Sequence, residues 1–117
     1  MTVTPHTVAQ HFDGKAKVVR AIYDRLLKTV GKFGKFEEDP KKTSIHLNRR
    51  IAFAGIATRK ESLVLTLKAS ADKPSPRVRR REQASASRWH LEVPLTSPND
   101  VDRELTAWIK EAYELSS

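Results

Sequence analysis

From Lys15 onward, apolar residues fall at Val19, Ile22, Tyr23, Leu26, Leu27, Val30 and Phe33. This is the three-and-four spacing of one helix face, and it predicts an amphipathic helix that Gly31 or Gly34 ends. Ahead of it, Thr4-Pro5 reads as an N-cap followed by proline at the first helical position. Val8 and Phe12 share one side of that short helix, and Asp13-Gly14 breaks it. The period then changes to two. Ile45 and Leu47 alternate with Ser44, His46 and Asn48, and Arg49-Arg50 predicts a tight turn into the small, apolar run Ile51–Thr58. After a second turn at Arg59-Lys60-Glu61, Leu63, Leu65 and Leu67 alternate with Val64, Thr66 and Lys68. Connections this short predict antiparallel neighbours, since parallel ones need long crossovers.

Residues 70–87 have the composition of a loop, rich in serine and proline, with Arg77, Arg79, Arg80 and Arg81 close together and a short helix conceivable over Val78–Ala84. Trp89, Leu91, Val93 and Leu95 then alternate with Arg88, His90 and Glu92 as a fourth strand. Ser97-Pro98-Asn99-Asp100 carries a capping box and predicts a last helix with Val101, Leu105, Trp108, Ile109, Ala112 and Leu115 on its buried stripe. The expected fold is α+β in a single domain over residues 1–117: a largely antiparallel four-stranded sheet, covered on one face by an N-terminal and a C-terminal helix. The basic loop 70–87 lies within that domain.

Composition narrows the chemistry. With no cysteine among 117 residues, disulfides, thiolate metal sites and a thiol nucleophile are excluded. The N-terminus lacks the basic and apolar regions of a signal peptide, and the apolar runs are far shorter than a membrane span, so a cytoplasmic protein without a membrane partner is expected. The formal charge is +8, and residues 97–117 hold two basic and five acidic groups, leaving +11 on the first 96. That asymmetry favours an anionic ligand or nonspecific nucleic acid. The bland reading is a solubilising surface.

Several segments together resemble a known family. They are Lys41-Lys42-Thr43-Ser44-Ile45-His46-Leu47, then Phe53-Ala54, Arg59-Lys60 and the leucines 63, 65 and 67. The ending adds Pro98-Asn99-Asp100-Val101-Asp102, Glu104-Leu105, Trp108-Ile109 and Glu111-Ala112-Tyr113, and the start adds His11-Phe12. This set is similar to domain-of-unknown-function family 5655, over about Val8 to Tyr113. The resemblance implies an uncharacterised, mainly prokaryotic domain with no accepted catalytic residues to carry over.

Lys41, Lys42 and Thr43 precede a strand without the glycines of a phosphate loop. They could hold an anion, or simply guard a strand end. With Arg49, Arg50, Arg59 and Lys60 they form the expected anion-binding face. The arginines at 77 and 79–81 could follow a phosphate backbone or form a solvated loop. His46, Thr66 and His90 are candidate polar contacts on the open sheet face, with Glu92 nearby. Two histidines and a carboxylate suffice for a metal or for acid–base work only if geometry unites them, so no metal or cofactor is expected. Glu37, Glu38 and Asp39 read as solvated loop carboxylates. Gly55, amid Ala52, Ala54 and Ala57, would leave a shallow hollow in the sheet or admit a packed helix.

The expected function is a noncatalytic binding or regulatory module for an anionic partner. A small-ligand carrier or small enzyme using the open sheet face is the second expectation, for which a pocket of several hundred Å³ would speak. A homodimerising interaction domain, marked by a large uncovered apolar patch, is the third.

Overall fold

The computed structural model describes residues 6–116. The expected cap at Thr4-Pro5 lies outside them, and a short 3-10 turn, Ala9–Phe12, stands where the first helix was expected. Helix α1 (Lys17–Gly31) buries Val19, Ile22, Tyr23, Leu26 and Val30, the stripe that the spacing predicts. Tyr23 also donates to Glu38 Oε1 at 2.6 Å, tying the helix to the first strand. Burial, and then Glu38, push the Tyr23 pKa up, so the hydroxyl stays a donor.

The sheet has six antiparallel strands, in the order β1-β2-β3-β4-β6-β5. They are β1 (Glu37–Pro40), β2 (Ile45–Asn48), β3 (Ala52–Thr58), β4 (Leu63–Ala69), β5 (Arg80–Ser85) and β6 (Arg88–Leu95). The expected four-stranded sheet is therefore too small. Its four strands are present as β2, β3, β4 and β6, and the sheet gains one strand at each edge. Glu37–Asp39, expected as a loop, is the acidic edge strand β1, closed by Pro40 where an edge tolerates a missing donor. The basic loop 70–87 contains the other edge, β5, in place of any helix over Val78–Ala84. Both strands escape a periodicity argument for one reason. An edge strand wet on both sides has no apolar face, so it has no alternation to display.

Helix α2 (Arg103–Glu114) packs across β3 and β4, while α1 touches β4 and α2. Together they cover one sheet face, where Ile45, Leu47, Ile56, Leu65, Leu67, Leu91 and Val93 are buried. The Ser97 capping box forms, but on the separate 3-10 turn Pro98–Asp100. Val101 (φ −82, ψ 72) leaves helical geometry, and α2 starts again behind Asp102, whose Oδ1 accepts from Leu105 N–H at 2.9 Å. The C-terminal helix is thus shorter than the spacing implied.

One irregularity positions the open face. The β2–β3 register slips between Leu47 and Asn48, so that Leu47 pairs Ala54 while Asn48 pairs Ala52. Phe53 is the extra residue of this bulge. Both Phe53 and Ala54 are buried, and Phe53 meets the Tyr113 ring edge-on at 5.4 Å. The bulge takes the one aromatic ring of β3 to the core and leaves small residues on the other side. Among the described residues, no helix is long and apolar enough to cross a membrane.

Candidate functional site

The uncovered face is built in cross-strand rows. One row takes a residue from every strand: Asp39, His46, Gly55, Thr66, Glu92 and Arg80 are successive partners across the sheet. A second row places Lys68 beside His90 and His90 beside Glu82. Side chains one strand apart are neighbours in such rows, and strands lie about 4.8 Å apart. Gly55 supplies no side chain at the centre of the first row. A Cβ built there would sit 3.9 Å from Thr66 Cβ and 4.0 Å from His46 Cδ2, so the gap lies between those two walls.

The result is a trough of about 340 Å³ over β3, lined by Ser44, His46, Ala52, Gly55, Ala57, Thr66, Lys68 and His90 among others. Its floor is small and largely apolar, because Ala52, Gly55 and Ala57 all come from β3. Its rims are polar. Among the described residues, the side chains of His46, Thr66, Lys68 and His90 take no internal hydrogen bond or ion pair. Burial, and after it the charge of Arg88, hold the Lys68 ammonium below the ordinary lysine pKa. That half-buried cation is exposed to a like charge and lacks a carboxylate.

The three open-face candidates therefore converge: His46, Thr66 and His90 come from β2, β4 and β6 onto one hollow. Lys68 belongs with them and was missed, because a lysine in a strand's polar register looks like any solvated side chain. Glu92 is drawn to the far edge, where Arg80 lies 3.9 Å away. Among the described residues, no cluster of three or more histidine, aspartate or glutamate side chains could hold a metal ion.

The expected anion-binding face is divided. A meander places alternate turns at opposite ends of the sheet. Lys41, Lys42 and Thr43 (between β1 and β2) share one end with Arg59 and Lys60 (between β3 and β4). Arg49 and Arg50 lie at the other end. At the first end His11 Nε2 meets Lys41 O at 2.8 Å, Thr58 Oγ1 donates to His11 O at 2.6 Å, and Lys41 pairs Asp39 at 2.8 Å. At the second, the Arg49 guanidinium stands 4.2 Å over the Tyr113 ring and donates to Tyr113 O at 3.2 Å.

The arginine-rich segment is also dispersed. Arg77 clamps the start of α2, meeting Asp102 at 2.9 Å and Glu104 at 3.1 Å and donating to Asp100 O at 2.6 Å. Its guanidinium pKa is raised overall, the bonds to Asp102 and Glu104 outweighing the larger single effect of burial. Arg81 binds Asp72 at 2.8 Å, and Arg80 lies between Glu82 and Glu92. Three of the four arginines thus have carboxylate partners within the fold, Arg77 half-buried and Arg80 and Arg81 at the exposed edge, while Arg79 is exposed with no ion pair among the described residues.

Fold and trough together define a single-sheet α+β module that presents one recessed sheet face. The chain belongs to the family described as a domain of unknown function (DUF5655), whose model matches residues 8–116. No curated protein and no solved structure matches it.

Proposed function

We propose that this chain is a binding module for a small anionic ligand seated in the trough of the open sheet face. The observation that carries the reading is the convergence on one hollow with an apolar floor of four polar side chains that take no internal hydrogen bond among the described residues, His46 lying in the field of Asp39. A pocket needs just such a combination: apolar area for affinity, a few placed polar groups for orientation. Lys68 gives the preference for an anion. An incoming negative charge would relieve the penalty that burial and Arg88 impose on its ammonium. His46 and His90 offer ring nitrogens from opposite sides of the gap, and Thr66 a hydroxyl between them.

On this reading the anionic partner sits on the open face and not on the basic face around Lys41, Arg49 and Arg59, whose side chains divide between two sheet ends. The dimer reading gains less support. Among the described residues the exposed large hydrophobic is Ile51, 54% exposed, in the turn between β2 and β3.

The test is thermal melting with a panel of mononucleotides and aromatic carboxylates, on the wild type and on Gly55→Val. A ligand that binds the folded state raises Tm by mass action. The expected result is a shift in the wild type that Gly55→Val loses, because its methyls fill the gap. A shift of equal size in both proteins, or none with any member of the panel, would overturn the reading.

A further inference from the structure

We infer that a second surface, along the C-terminal ends of the two helices, binds the sugar–phosphate backbone of nucleic acid without reading its sequence. Arg25, Lys28 and Lys32 recur at the three-and-four spacing and so share one side of α1 and its exit. A hollow of about 230 Å³ beside them includes Arg25, Lys28, Lys32 and Phe33 in its lining. An adjoining hollow of about 440 Å³ is lined by Lys32, Phe33, Arg49, Lys110, Tyr113 and Glu114. Lys32 and Phe33 line both, so the two hollows adjoin and together make a basic groove. Arg50 stands at its end, where its backbone N–H donates to Ser116 O at 3.3 Å.

Most of the cations on this groove are not used by the fold. Among the described residues, the side chains of Arg25, Lys28, Lys32, Arg50 and Lys110 take no hydrogen bond or ion pair, and all five are exposed. Arg49 alone is engaged, by Tyr113. Glu114 is the one carboxylate lining either hollow. The helix dipole explains cations in a last turn. It accounts for Lys28 and Lys32, but Arg25 lies well before the end of α1, and no basic residue falls in the last turn of α2.

The linear layout favours a phosphate chain over an acidic protein. Along α1 the cations step by rises of about 4.5 and 6 Å. One strand of DNA presents a charge about every 3.4 Å of axis, so successive cations meet successive or alternate phosphates. Point charges of this kind meet phosphates and carry no base-edge readout by themselves, so the contact is assigned to the backbone. The surface is separate from the trough, on the helical side of the sheet, and stands or falls independently of it.

The experiment is fluorescence anisotropy of a labelled duplex of about 20 base pairs, titrated between ~50 and ~200 mM salt. Lys28→Glu/Lys32→Glu is compared with Arg59→Glu/Lys60→Glu, an equal change of net charge at the far end of the sheet. The first pair should weaken binding at low salt by at least about tenfold and flatten the log–log salt slope by about two. The second pair and Gly55→Val should leave both nearly unchanged. Should the glutamates prevent folding by thermal melt, Lys28→Gln/Lys32→Gln carries the same comparison. Equal losses in both pairs, no binding by the wild type, or competition by polyglutamate as strong as by DNA would each overturn the inference.

Discussion

The two faces of the sheet are made by the same strands and obey opposite rules. On β4, Leu63, Leu65 and Leu67 are buried among the helices, while Thr66 and Lys68, one residue away, stand on the trough. The core face is filled with large aliphatic side chains that interlock with α1 and α2. The open face sets polar rims against a floor of Ala52, Gly55 and Ala57. A merely solvated face would be expected to carry long polar side chains on every strand, covering the backbone. Here β3, the strand beside the sheet's centre, is stripped of bulk, and its one aromatic ring, Phe53, goes through the bulge to Tyr113. The hollow therefore arises from backbone register as much as from composition.

The comparison can be broken most severely at the bulge. Phe53→Ala should cost about 3–5 kcal/mol in urea unfolding, because it removes a fully buried ring. Leu65→Ala should cost about 2–5 kcal/mol, whereas Thr66→Ala beside it should stay within about 0.5 kcal/mol. Equal losses at 65 and 66 would show that the open face is packed against something and is no trough. A smaller effect of opposite sign is expected at Gly55→Ala. Its Cβ meets only ordinary contacts, and the strand gains about 0.5–1 kcal/mol from replacing glycine.

Two titrations sharpen the contrast further. Lys68 has a folded pKa below its ordinary value of 10.5, so the unfolded chain binds more protons between those two values. The Lys68 contribution to stability should therefore rise with pH across that window, and the difference between wild type and Lys68→Met should show it. Anion affinity in the trough should fall across the same window, as the ammonium loses its proton. Asp102 gives a slope of the same sign at the acid end for the converse reason, because the fold favours its charged form. The backbone N–H of Leu105 first, and then Arg77, hold its carboxyl below the ordinary value of 3.8. Its contribution is fully present above that value and is lost as pH falls through the folded pKa. Thermal melts taken below about pH 4 should fall more steeply for the wild type than for Asp102→Asn.

Elements with an apolar side were legible in the sequence. The stripe of α1, the alternation of β2, β4 and β6 and the small apolar run of β3 appear close to where the pattern predicts, because burial imposes the pattern. The edges were not legible: Glu37–Pro40 and Arg80–Ser85 have no buried face, and pairing with a neighbour alone makes them strands. The helix start at Ser97 misled because a sound capping box can serve a single 3-10 turn. Of the site, His46, Thr66 and His90 could be placed by register, and Gly55 by its size. Lys68 could not, since its lack of a partner is a property of space. The basic residues failed for the converse reason: neighbours in sequence such as Arg77, Arg80 and Arg81 are drawn to different carboxylates.

The outer position of β5 gives the trough a rigid side and a soft one. Strand β5 is exposed at all six of its residues and is held through its ladder to β6, while β2 and β3 are anchored in the core. Segments with few buried contacts open at free energies far below global unfolding. Amides along Arg80–Ser85 should therefore exchange faster than those of β3 and β4. The His46 wall is fixed with the core. The outer rim beside His90, where Glu82 stands, can peel back and reseat, so ligands that differ in bulk would be accommodated on that flank.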